Sequence, residues 1–147
     1  MQNATLWRAL LGVEKAVIED IVFDEHEHLL VAHVRPRARA RAQARCGRCD
    51  RRSPAYDRGE GRRRWRALDL GTIQTVLEAE APRVRCPEHG PTVAAVPWAR
   101  HAAGHTHAFD EQVAWLATQC SKSAITELMR IAWRTVGAII IRVWADV

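Results

Sequence analysis

The sequence predicts an α+β protein: a small zinc-ribbon-like β module over residues 1–100, a linker at 101–108, and a three-helix helix-turn-helix module over 109–147. Three observations lead there. Cys46-Gly-Arg-Cys49 is followed, after thirty-six intervening residues, by Cys86-Pro-Glu-His89, and two short ligand pairs spaced this way can close a tetrahedral zinc site. Residues 17–37 hold two β-prone runs, and residues 72–85 alternate apolar and polar positions with the period of a strand. From Phe109 onward there is no proline, and apolar residues recur at helical spacing in three separable bursts.

Taken in order, residues 17–37 hold two β-prone runs around the polar tip Asp24-Glu-His-Glu-His28, which reads as a hairpin. His26 and His28 fall on that exposed tip and read as solvated polar residues. Residues 35–45 alternate Arg with small residues, so an extended chain would turn most of these arginines to one face as a cationic arm. Residues 50–63, rich in Gly, Pro, Ser and Arg, read as a loop leading to Trp65-Arg-Ala-Leu-Asp-Leu-Gly71. Residues 72–85 alternate with Ile73, Thr75, Leu77 and Ala79 on one face, a strand that delivers the chain to Cys86. Gly47 and Pro87 suit the tight turns in which backbone N–H groups approach thiolate sulfur. His101, His105 and His107 read as polar positions of a linker.

Among the helices, the first carries Val113, Leu116 and Ala117 behind the acids Asp110 and Glu111, which favour a helix start. Ser121 and Ser123 are cap candidates for a second, with Ala124, Ile125, Leu128 and Met129 as its apolar positions. A short connection at 130–132 leads to the third, Trp133 to Trp144. Two short helices joined by a three- or four-residue turn behind a supporting helix form the helix-turn-helix pattern. On the third helix Val136, Ile140 and Val143 are expected inward, with Arg134, Thr135, Ala138 and Arg142 outward toward DNA.

With 147 residues, 48% of them hydrophobic, the chain suits one ordinary core or two small modules. Of the 22 basic side chains only Lys15 and Lys122 are lysines, and residues 35–66 hold 13 arginines against three acids. Such guanidinium density suits phosphate, and Arg62, Arg63, Arg64 and Arg66 are its densest run. The partner implied is double-stranded DNA. No secretory leader or apolar run long enough to span a bilayer is visible, so a cytoplasmic location is expected, where reduced thiols favour zinc over disulfides. Cys120 remains as a plain free thiol.

Cys46-x-x-Cys49, the Trp65-to-Gly71 segment, Arg83-Val-Arg-Cys86-Pro, Val113-Ala-Trp-Leu116 and Trp133-Arg-Thr-Val136 together make residues 10–147 resemble the N-terminal part of bacterial ISL-type insertion-sequence transposases. The resemblance implies that Cys46, Cys49, Cys86 and His89 hold Zn2+ and that the third helix helps grip the element's terminal repeats. Relatives often place a fourth cysteine where His89 stands. In that family a catalytic domain with an acidic triad follows these modules. The acids available here, such as Asp69, Glu78 and Asp110, are scattered over separate elements, so no catalytic residue is expected in this chain. A homodimer, or a partnership with a missing C-terminal catalytic domain, would complete the assembly. The alternatives are a standalone helix-turn-helix regulator and a zinc-ribbon module that contacts protein, which would have no affinity for duplex DNA.

Overall fold

The structure, a computed structural model, describes residues 3–37 and 44–147. Most of the arginine-alternating arm, residues 38–43, therefore lies outside the described residues. The chain divides into two compact units, Met1–Thr106 and His107–Val147.

The first unit opens with α1 (Ala4–Leu11), which the sequence reading did not anticipate. Its signal is Trp7, Leu10 and Leu11 at i, i+3 and i+4, followed by Gly12, whose φ of 65° and N–H bond to the Ala9 carbonyl end the helix. The expected hairpin is present as β1 (Ala16–Asp24) and β2 (Leu29–Pro36). β4 (Arg62–Leu70) and β5 (Ile73–Glu80) form a second antiparallel pair through the Gly71 turn, and β2 joins β5 in parallel. The sheet order is β1-β2-β5-β4. Its inner face buries Ile18, Ala32, Val34, Trp65, Leu77 and Ala79, with Trp98 set edge-on against Trp65 at 5.4 Å between centroids. Of the alternating face expected on β5, Thr75, Leu77 and Ala79 are buried and Ile73 is half-buried.

A second sheet carries the ribbon: β3 (Ala55–Asp57), β6 (Arg83–Cys86) and β7 (Gly90–Val93), ordered β3-β6-β7. Two expectations need correction here. The loop foreseen at 50–63 contains β3 and the first residues of β4, because three residues are too few to show alternation in β3 and β4 opens on arginines rather than apolar residues. The single strand foreseen at 72–85 is two, since the chain leaves the first sheet at Ala81 and Pro82, where Pro82 has no N–H for the ladder. Within the stretch read as a linker, Ala103 and Thr106 are buried, and a parallel bridge joins Arg66 to His105 along the edge of β4.

The second unit is three helices: α2 (His107–Leu116), α3 (Lys122–Met129) and α4 (Trp133–Trp144). The Ser121 hydroxyl accepts the Ala124 N–H at 3.1 Å and caps α3. Arg130, at φ 55°, closes α3 in the left-handed conformation and starts the turn to α4. Phe109, Val113, Ile125, Val136 and Ile139 are its most buried apolar side chains. Of the inward positions expected on α4, Val136 is buried, while Ile140 and Val143 are only half-buried and Ile139 takes the central place. None of the described helices is long and apolar enough to cross a membrane.

Candidate metal centre and nucleic-acid interface

Two knuckles of like construction bring four donors together. In the first, the Arg48 N–H points at Cys46 Sγ at 3.4 Å; in the second, the Glu88 N–H points at Cys86 Sγ at 3.4 Å. Each knuckle ends on a left-handed residue, Asp50 at φ 60° and Gly90 at φ 68°, a conformation that glycine adopts freely and Asp tolerates better than most. Gly47 answers a different need. Its N–H bonds the Val93 carbonyl at 3.1 Å, and a Cβ there would lie 2.6 Å from that oxygen. Only glycine lets the first knuckle close on β7.

The ligand atoms of Cys46, Cys49, Cys86 and His89 all lie within 4.8 Å of one another. Cys49 Sγ is 3.6 Å from Cys86 Sγ, and His89 Nδ1 is 3.7 Å from Cys46 Sγ and 3.6 Å from Cys86 Sγ. A zinc ion with Zn–S of about 2.3 Å and Zn–N of about 2.0–2.1 Å sets tetrahedral edges of roughly 3.6–3.8 Å, and three of the six donor pairs stand at that separation. The charges agree. Desolvation pushes the Cys86 thiol up, but N–H groups of His89 and Glu88 and the His89 ring outweigh it and hold the group at about 6. At Cys49 an N–H of Arg51 favours the thiolate, yet desolvation and the neighbouring sulfurs of Cys86 and Cys46 prevail and raise it. Sulfurs this close resist ionising together until a dication offsets their repulsion. The donor set is of the three-sulfur, one-imidazole type that zinc takes.

The histidines set aside in sequence stay outside this cluster. Burial first, and then the charges of Arg48, Arg63 and His89, keep His101 below its ordinary value. Among the described residues, no group of three or more metal-type donors forms around His26, His28, His105 or His107.

The arginines are distributed less freely than the sequence suggests. Register sets Arg62 opposite Glu80 and Arg64 opposite Glu78, and both Arg62 (3.1 Å) and Arg64 (3.0 Å) donate to the Glu78 carboxylate. Desolvation acts to raise Glu78, but these two arginines and His33 outweigh it and hold its carboxyl below the usual range. Arg63 lies over the Trp65 ring at 5.0 Å and donates to the Ala103 carbonyl, while Arg66 donates to Asp69 at 3.3 Å.

In the helical unit Arg134 and Ala138 are exposed and Thr135 is half-buried, with Ile141 continuing the Arg134 and Ala138 stripe at i, i+4 and i+7. Arg142 corrects the outward assignment. It grips the fully buried Asp110 bidentately at 3.0 and 3.1 Å, tying α4 to α2 across thirty-two positions. The pairing could not be read in sequence, because Asp110 looked like an ordinary first-turn acid. Lys122 was also missed. Its ammonium sits 5.0 Å from the Trp133 ring centroid, and it passes the small Gly137, whose added Cβ would come within 3.3 Å of it.

Two family descriptions match the chain: "zinc-finger of transposase IS204/IS1001/IS1096/IS1165" over residues 42–89, and "Helix-turn-helix domain of transposase family ISL3" over residues 94–144. Curated relatives from two Mycobacterium tuberculosis strains, CDC 1551 / Oshkosh and ATCC 25618 / H37Rv, are each described as a transposase for insertion sequence element IS1557. Each is 64% identical over 151 aligned positions that cover 99% of this chain. The chain spans about a third, 34%, of the length of those relatives. No solved structure matches it.

Proposed function

We propose that this chain, which carries the zinc-finger and helix-turn-helix domains of the ISL3 transposase family, grips double-stranded DNA at the terminal repeats of an insertion element. In this reading Cys46, Cys49, Cys86 and His89 are the zinc ligands, and the ion organises a positively charged ribbon for phosphate contact. The α4 stripe reads sequence. Arg134 forks onto a guanine edge or a phosphate, Thr135 reaches a phosphate or a thymine methyl, and Ala138 lets the helix approach closely. Arg142 acts indirectly, by holding α4 against α2, and Arg62, Arg63, Arg64 and Arg66 are secondary phosphate contacts at most. Trp115, Ile141 and Trp144 leave large apolar side chains exposed on the helical unit, which suits a second copy or a catalytic partner domain. DNA work of this kind places the protein in the cytoplasm.

The observation that carries this reading is the exposed Arg134 and Ala138 stripe on the last helix of a helix-turn-helix, in one chain with a three-cysteine, one-histidine cluster of zinc dimensions. Gel-shift titration of a terminal-repeat duplex at several salt concentrations tests it. Affinity should fall steeply with added salt, and binding that does not weaken contradicts phosphate contact. Replacing Arg134 by Ala should cost about 1–3 kcal/mol on the preferred duplex if it reads a base, and should weaken all duplexes alike if it holds phosphate.

A further inference from the structure

The ribbon carries an arginine-aromatic face that no motif pointed to. On β6, Arg83 and Arg85 stand two residues apart and so share one face of the sheet, while Val84 between them turns to the other side and is buried with Cys46 and Cys86. The neighbouring edge strand β3 pairs Ala55 with Val84 and Asp57 with Arg83, leaving Tyr56 as an extra residue in a bulge. Tyr56 is exposed, and both guanidinium groups lie over its ring, Arg85 at 4.8 Å and Arg83 at 5.2 Å from the centroid.

The two arginines differ in what else they hold. Arg83 is paired in a fork with Asp57, which also accepts the Gly59 N–H at 2.9 Å. Arg85 is exposed and faces no acid among the described residues. Its stacking on Tyr56 fixes the plane of the guanidinium and leaves its N–H edge open. Around it, residues 44–60 and 83–93 contain seven arginines against four acids. Three thiolates and one zinc dication add a single negative charge, so the ribbon remains cationic when loaded. By contrast, Arg62 and Arg64 face Glu80 and Glu78 across the ladder and share the Glu78 carboxylate.

We infer that the Tyr56, Arg83 and Arg85 face of the ribbon is the phosphate-contact surface of the first unit, and that its partner is the backbone of duplex DNA. Arg85 supplies the free fork, Tyr56 positions it, and the Arg83 and Asp57 pair holds Tyr56 from the other side. The zinc cluster fixes the face from behind through Val84 and Cys86. This rests on the DNA-binding reading above and relocates its main electrostatic contact away from the β4 arginines, where the sequence reading placed it.

The test uses the full zinc-loaded chain and a mixed-sequence duplex, with affinity measured across a series of potassium chloride concentrations. Arg85→Gln should weaken binding several-fold and lower the slope of log K against log salt by about 0.9, the value for one lost phosphate contact. Arg85→Lys should restore most of that slope, and Tyr56→Ala should weaken binding with little change in slope. Arg64→Gln, whose guanidinium is already held by Glu78, should lower the slope by clearly less than Arg85→Gln. Zinc stoichiometry of each variant reports whether the ribbon remains folded. The inference is overturned if Arg85→Gln keeps both affinity and slope while the unaltered chain binds, or if Arg64→Gln lowers the slope as much. A wild-type chain with no salt-dependent affinity for any duplex sinks the DNA-binding reading itself, a result separable from the first two because no variant is needed to see it.

Discussion

The two sheets of the first unit are held together in different ways. The four-stranded sheet packs a continuous apolar cluster that includes Trp65, Leu77, Trp98 and a contribution from α1. The ribbon has a cluster of three buried residues, Cys46, Val84 and Cys86, two of which belong to the candidate metal cluster. Burial at about 25 cal/mol per Å² can organise the first and cannot organise the second. A sheet of three- and four-residue strands therefore draws its stability from coordination, and its order is linked to metal occupancy and to the pH at which thiols hold protons. The contrast is consistent with the proposed contact surface: Arg62 and Arg64 of the stable sheet are paired with Glu78, whereas Arg85 of the ribbon stays open.

The largest effect expected is on the ribbon alone. Chelation, or Cys49→Ser, should remove metal-linked stability on the order of 10 kcal/mol. Hydrogen exchange should then show loss of protection in β3, β6 and β7 with β1, β2, β4 and β5 still protected. Simultaneous loss in both sheets would break the comparison. The converse change is Trp65→Ala, which should cost about 3–5 kcal/mol from the first sheet. Denaturant melts would show it, and zinc content measured by atomic absorption in the folded fraction should be unchanged. Gly47→Ala is smaller, about 1–3 kcal/mol, because the new methyl must push against the Val93 carbonyl. Its effect should fall on metal affinity, measured by competition with a chromophoric chelator, and a variant that binds zinc as tightly as the parent would contradict the close approach.

Acid provides the finest separation. Glu78 in the first sheet and Asp57 in the ribbon both sit below their ordinary values of 4.5 and 3.8. Desolvation raises Glu78 against the stronger pull of Arg64 and Arg62, whereas Asp57 is lowered chiefly by Arg83 and then by the Gly59 N–H. A depressed carboxylate contributes stability that is present above its unfolded value and lost as pH falls through the folded one. The first sheet should therefore hold to below pH 4.5. The ribbon should release zinc earlier, as protons compete with the ion for its thiolates and imidazole. Following zinc release and hydrogen-exchange protection of β4 and β5 across one pH series checks the order, and a single coincident transition would remove the distinction.

What could be read in sequence was what is encoded locally. The knuckles are four-residue turns, so Cys46 with Cys49 and Cys86 with His89 announce themselves by spacing alone. The helix boundaries at Ser121 and Arg130, the β1-β2 hairpin and the buried face of β5 follow from caps and periodicity within a few residues of each position. α1 carried a comparable local signal in Trp7, Leu10, Leu11 and Gly12 that the reading passed over.

The sequence by itself determined that this chain has two chemically distinct modules, a cysteine and histidine cluster of zinc type and a set of helices in helix-turn-helix order, because short-range spacing sets both. Only the tertiary structure decided how side chains far apart in the chain are used. It placed β2 parallel to β5, set Trp98 on Trp65, committed Arg142 to the buried Asp110 and Arg62 and Arg64 to Glu78, and left Arg85 open over Tyr56. A guanidinium has the same composition wherever it falls, and whether it is available to a phosphate depends on which carboxylate or ring the fold brings beside it.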